Sequence, residues 1–134
     1  MKVILDTNVI IAAFATHGLC HLVFESVVAH HELISSEFLM KEVCENLKRK
    51  IKLPQGRIDE INAFIRSHSK ISKDINVPGL KCRDPGDLKV LALAINQKAE
   101  VIVTGDQDLL VLGPTPNTAI VSPRQFWDML RERK

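Results

Sequence analysis

Carboxylates stand at the ends of the most apolar stretches of this chain. Asp6 follows Lys2-Val3-Ile4-Leu5, a run that reads as a short buried strand, and a carboxylate cannot continue such a strand into a core without a partner. Asp106 and Asp108 stand in the same relation to Glu100-Val101-Ile102-Val103-Thr104, a β-branched run without polar alternation, as expected of a parallel strand covered on both faces. Asp84-Pro85-Gly86-Asp87 opens a helix whose body, Leu88 to Ile95, is apolar nearly all round and so must be interior. Glu42 lies beside Val43 at the edge of an apolar stripe formed by Leu39, Val43 and Leu47, from which a side chain can point along the core toward the strand ends.

Each acid alone has a local explanation. Asp6, Thr7 or Asn8 suits the cap of a helix starting near Val9; Asp84 suits an N-cap with Pro85 at the first helical position; Asp106 and Asp108 suit a turn. Glu42, by pattern alone, reads first as a solvated residue on the flank of its helix. Together they imply more, because three or four converging carboxylates repel one another by several kcal/mol, on the order of the Coulomb energy at an interior dielectric, unless cations hold them. An all-oxygen site without His or Cys suits Mg²⁺ or Mn²⁺. The chemistry that follows is metal-assisted hydrolysis of a phosphodiester.

Such a site needs a scaffold that gathers strand ends, and an open parallel α/β sheet does this, its crevice lying at the carboxyl ends of the strands. Strands are expected at 2–5, 32–35, 100–104 and 118–121, with a weak edge strand between Lys70 and Asn76. Helices are expected over 9–15, 19–29, about 36–51, 58–68 and 85–95, a short turn or helix at 109–112, and a terminal amphipathic helix after Ser122-Pro123, anchored by Phe126, Trp127 and Leu130. The 134 residues fit one domain, 1–134, too short for an added lid domain. With 4% aromatic residues and no Tyr, the core must be built from Leu, Ile and Val.

Other readings are narrowed by composition. No apolar run is long enough for a membrane span and no signal peptide leads the chain, so a cytoplasmic protein is expected. Cys20, Cys44 and Cys82 are widely spaced and odd in number, which favours buried free thiols over disulfides or zinc. His21, His30 and His31 read as surface residues. The net charge of +2 conceals an uneven distribution: if acids converge on one site, the remaining surface is more basic than the total. Lys48, Arg49, Lys50 and Lys52 then form a candidate nucleic-acid-contacting run, although Lys and Arg also favour helix C-termini on their own account.

With these motifs in view, the chain resembles the PIN-domain ribonucleases. The resemblance rests on Val3-Ile4-Leu5-Asp6-Thr7-Asn8-Val9, Glu42 followed by Val43 and Leu47, Asp84-Pro85-Gly86-Asp87 running into Leu91-Ala92-Ala94, and Val103-Thr104-Gly105-Asp106-Gln107-Asp108-Leu109. The Ser122-Pro123-Arg124-Gln125-Phe126 ending resembles a subgroup described as toxin components of toxin-antitoxin systems. The resemblance implies a Rossmann-like three-layer α/β/α fold with a mostly parallel sheet and Mg²⁺- or Mn²⁺-dependent RNA cleavage. It also implies acidic ligands at Asp6, Glu42, Asp87 and Asp106, with Asn8, Thr104 and Asp108 in supporting positions. An antitoxin partner and a homodimer are implied in the same way. Asp84 and Asp87 offer two acids where the family commonly has one; Asp87 is preferred as ligand because an N-cap is occupied with backbone N–H groups.

Two other enzyme classes fit less well. An aspartyl-nucleophile phosphatase normally carries a second Asp two positions after the first, where this chain has Asn8. A response-regulator phosphoacceptor wants an acidic pair on the first strand and a Lys after the last. The non-enzymatic alternative is a catalytically weak or silent PIN-like module that binds RNA or a protein partner, against which the presence of all four acids argues.

Overall fold

In the computed structural model, which describes residues 1–74, 79, 85–112, 115 and 117–132, five strands form one sheet. They are β1 (Lys2–Leu5), β2 (Glu32–Ser36), β3 (Ser69–Ser72), β4 (Val101–Val103) and β5 (Ala119–Val121). All neighbours pair in parallel in the order β3-β2-β1-β4-β5, with Ile4 opposite both Ile34 and Ile102, and Ile102 opposite Ile120. The order reverses between β1 and β4, which makes the carboxyl ends of those two strands the crevice of the sheet.

Among the described residues seven helices connect and cover the strands: α1 (Thr7–Ala15), α2 (Leu19–His30), α3 (Glu37–Arg49), α4 (Gln55–Ser67), α5 (Pro85–Gln97), α6 (Gln107–Leu110) and α7 (Pro123–Glu132). Because side chains alternate across a strand, Val3, Leu5, Leu33, Val101 and Val103 face one helical layer, and Ile4, Ile34, Ile102 and Ile120 face the other. The first layer packs residues of α1, α2, α3, α4 and α7; the second is closed by Val90, Leu91, Leu93 and Ala94 of α5 with Leu109 of α6. This is the expected three-layer α/β/α arrangement, and its core is aliphatic apart from a few Phe residues, with Phe126 fully buried.

Several boundaries differ from the sequence reading for identifiable reasons. α1 begins at Thr7 rather than Val9, because Asp6 itself is the cap and accepts a hydrogen bond from Thr7 N at 2.9 Å. Of the two serines before α3, Ser36 is the cap, accepting from Leu39 N at 3.1 Å. α3 stops at Arg49, and the chain turns through Lys52, whose φ of 59° is a left-handed conformation that breaks a helix. β3 is an edge strand one residue earlier than expected, paired parallel to β2; Ile75 and Asn76 at its expected end lie outside the described residues. His31 is half-buried, with its ring edge-on to Phe126 at 6.3 Å, where a surface residue is expected. Cys20 and Cys44 are half-buried free thiols whose pKa values burial raises, while Cys82 lies outside the described residues. Among the described residues no single helix is long and apolar enough to cross a membrane.

Candidate active site

Asp6 leaves β1 as the cap of α1 and is 7% exposed, a buried carboxylate that must be held by donors. Thr7 N donates to its Oδ1 at 2.9 Å, and Thr104 Oγ1 donates to its Oδ2 at 2.7 Å. Thr104, fully buried at the end of β4, also accepts from Asp106 N at 3.0 Å, so one hydroxyl ties the two strand ends together. Asn8 adds a second tie: its Oδ1 accepts from Gly105 N at 3.1 Å, and its Nδ2 reaches Asp6 Oδ2 at 3.5 Å. The crevice between β1 and β4 is thus pinned by side-chain contacts across 98 and 97 residues of sequence.

The remaining acids arrive from three helices. Asp106 caps α6, its Oδ1 accepting from Asp108 N at 2.9 Å. Asp87 lies in the first turn of α5 and is 5% exposed. Glu42, half-buried on α3, accepts from Thr7 Oγ1 at 2.9 Å. A cleft of about 470 Å³ is bordered by Asp6, Glu42, Asp87 and Asp106 together. The N-termini of α1, α5 and α6 carry Asp6, Asp87 and Asp106, so their partial positive charge offsets part of the repulsion among these carboxylates.

Oxygen-only donors of this kind fit a hard divalent cation. Asp87, Asp106 and Asp108 each present a carboxylate oxygen, all within 4.8 Å of one another. Three carboxylate oxygens this close together are a donor set that would hold such a cation. Sequence reasoning assigned Asp108 a supporting position, yet its exposed carboxylate lies in this tight group; Asp6 and Glu42 border the cleft outside it. Asp84 lies outside the described residues.

Two contributors escaped the sequence reading. Thr7 reads from sequence as a cap candidate, whereas its hydroxyl holds Glu42; its adjacency to Asp6 is the signal that points to the site. Asn46, one turn after Glu42, lines the cleft and donates from Nδ2 to the Glu42 carbonyl at 2.9 Å; its i+4 spacing was the signal there. The basic run divides. Lys50 lines the cleft, Arg49 lies back on α3 with Nη2 donating to Asn46 Oδ1 at 3.0 Å, and Lys48 and Lys52 are exposed away from the lining.

A family model described as "PIN domain" matches residues 2–108. Among solved structures, the chain is similar to VapBC2 from Rickettsia felis bound to a DNA fragment from their promoter, at 16% identity and a TM-score of 0.65 over 91% of this chain and 98% of that one. It is also similar to VapC20 of Mycobacterium tuberculosis, a sarcin-ricin loop cleaving toxin, at 15% identity and a TM-score of 0.59 over 83% of this chain and 95% of that one. At these identities the likeness is one of fold. No curated protein matches the sequence.

Proposed function

The chain belongs to the PIN-domain family, and from that premise we propose that it is a divalent-metal-dependent endoribonuclease, the toxin of a toxin-antitoxin pair. The observation that carries this reading is the meeting of Asp6, Glu42, Asp87 and Asp106, from four separate elements, around one cleft at the reversal point of the sheet. Asp87, Asp106 and Asp108, with Asp6 beside them, would hold Mg²⁺ or Mn²⁺. When bound, the cation supplies an activated water and neutralises charge on the phosphate under attack.

The chain's own residues do the positioning. Thr104 and the Thr7 amide each hold one oxygen of Asp6, fixing its carboxylate at the edge of the cleft. Thr7 holds Glu42 at the cleft wall, where its carboxylate is placed to orient a water or accept its proton. Asn8, by fixing Gly105, keeps the turn that presents Asp106 in register with β1.

The toxin reading is supported by the fold shared with a toxin named for cleaving the sarcin-ricin loop, and by the Ser122-Pro123-Arg124-Gln125-Phe126 ending. An antitoxin, a homodimer and a cytoplasmic setting accompany that reading. RNA cleavage assayed with Mn²⁺, with Mg²⁺ and with chelator tests the chemistry; metal-independent or absent cleavage overturns it. Growth arrest on expression, relieved by the product of a small adjacent reading frame, tests the toxin role.

A further inference from the structure

The cleft changes character along its length. Asp6, Asp87 and Asp106 make one end, and Lys50 stands at the other. Glu42 and Asn46 lie one turn apart on α3 and Lys50, its C-cap, continues the four-residue spacing, about 12 Å along the axis from Glu42 at 1.5 Å per residue. Across from them, Ile11, Ala12 and Ala15 of α1 give an apolar wall. Asn46 holds Arg49 against the helix, and among the described residues no carboxylate is paired with Lys50.

We infer that the groove between α1 and α3 is a nucleotide subsite: with one RNA phosphate at the acidic end, the adjoining base lies against Ile11, Ala12 and Ala15, and the next phosphate pairs with Lys50. The inference rests on the nuclease reading above. A flat base suits a wall that offers packing and no hydrogen-bond pattern, which makes this subsite tolerant of base identity. An ammonium group suits a phosphate as a point charge, without demanding one fixed orientation. Charge decides between occupants. A basic protein segment would satisfy the acids and be repelled by Lys50, and an acidic one the reverse. A polyanion that brings cations to the acidic end satisfies both ends.

The test is equilibrium binding of a fluorescein-labelled oligouridine RNA in Ca²⁺, followed by anisotropy at several salt concentrations. Lys50→Gln is expected to weaken binding by about fivefold to tenfold and to lower the salt slope by about 0.7, the value for one lost phosphate contact on a single strand. Lys48→Gln, on the same helix but outside the groove, is expected to leave the slope unchanged. Ile11→Ala is expected to weaken binding at every salt concentration with an unchanged slope, because a lost apolar contact releases no counterion. Should Ile11→Ala fail to fold, the lysine pair still decides. Wild-type affinity and slope in Lys50→Gln, or equal losses in both lysine variants, overturn the subsite and leave the nuclease reading standing. Absence of RNA binding by the wild-type chain overturns both.

Discussion

The two ends of the sheet are both polar grooves, and they differ in what the helices bring to them. At the carboxyl end helices begin, and Asp6, Asp87 and Asp106 sit in the positive field of their first turns. At the amino end α2, α4 and α5 finish, and the groove there mixes signs: Lys2, Lys70, Glu32 and Glu100 with His30, His31 and His68. Two of its side chains meet main-chain groups. Glu100 Oε1 accepts from Lys2 N at 3.3 Å, and the terminal ammonium of Met1 lies 3.3 Å from His31 Nδ1. This amino-end groove is the larger, about 730 Å³ against about 470 Å³. Size therefore does not mark the proposed active end. Acids gathered where helix N-termini begin do, and a parallel sheet produces that condition at one edge only.

The contrast can be broken most sharply at Asp6. Asp6→Asn keeps the shape and the capping oxygen but removes a charge, and is expected to lower metal-dependent RNA cleavage at least about a hundredfold, about 2.7 kcal/mol in the barrier. Glu100→Gln at the opposite end is expected to leave cleavage unchanged. Single-turnover rates with circular dichroism as a check on folding decide it; an active Asp6→Asn removes Asp6 from the site. Next in size, Glu42→Gln is expected to cost about tenfold, about 1.4 kcal/mol, and Glu45→Gln on the exposed side of α3 nothing. Thr7→Val, which deletes the hydroxyl that holds Glu42, is expected to fall between them. Equal rates for the Glu42 and Glu45 variants would show that the face of α3 is irrelevant.

A stability measurement sharpens the same comparison. Without metal, the carboxylates at the crevice repel one another, so Asp106→Asn is expected to melt at the same or higher temperature than wild type in chelator, Asn remaining a competent cap. On adding Mn²⁺ the wild type is expected to gain more, since stabilisation grows as RT ln(1 + [L]/Kd). Identical metal-induced shifts would remove Asp106 from the metal site. The smallest expected effect lies outside both grooves. Arg66 donates two hydrogen bonds of 2.9 Å to Glu37 and holds its carboxyl below the ordinary value of 4.5. A depressed pKa contributes stability above the ordinary value that is lost as pH falls through the lowered one. Glu37→Gln is thus expected to flatten the acid side of the melting profile slightly and to leave the neutral side nearly untouched, the pair being exposed and screened by salt.

Local rules written in the sequence determined the strands, the existence and order of the helices, and the acids that had to stand at element ends. β1 and the apolar run of β4 follow from β-branched composition, and Pro85 at the start of α5 follows from its fixed φ and missing N–H. Periodicity placed Glu42 at the edge of its stripe but left open whether it faced the crevice. The tertiary structure decided the partnerships. Only the pairing of β1 with β4 brings Thr104 to Asp6 across 98 residues, and only the packing of α1 on α3 brings Thr7 to Glu42. Only helix phase and the arrest of α3 at Arg49 separate Lys50 from Lys48, Arg49 and Lys52, which composition presents as one basic run. The physical reason is range: capping, turn chemistry and amphipathicity act within a few residues, whereas strand order arises from the burial of both sheet faces at once, a property of the whole chain.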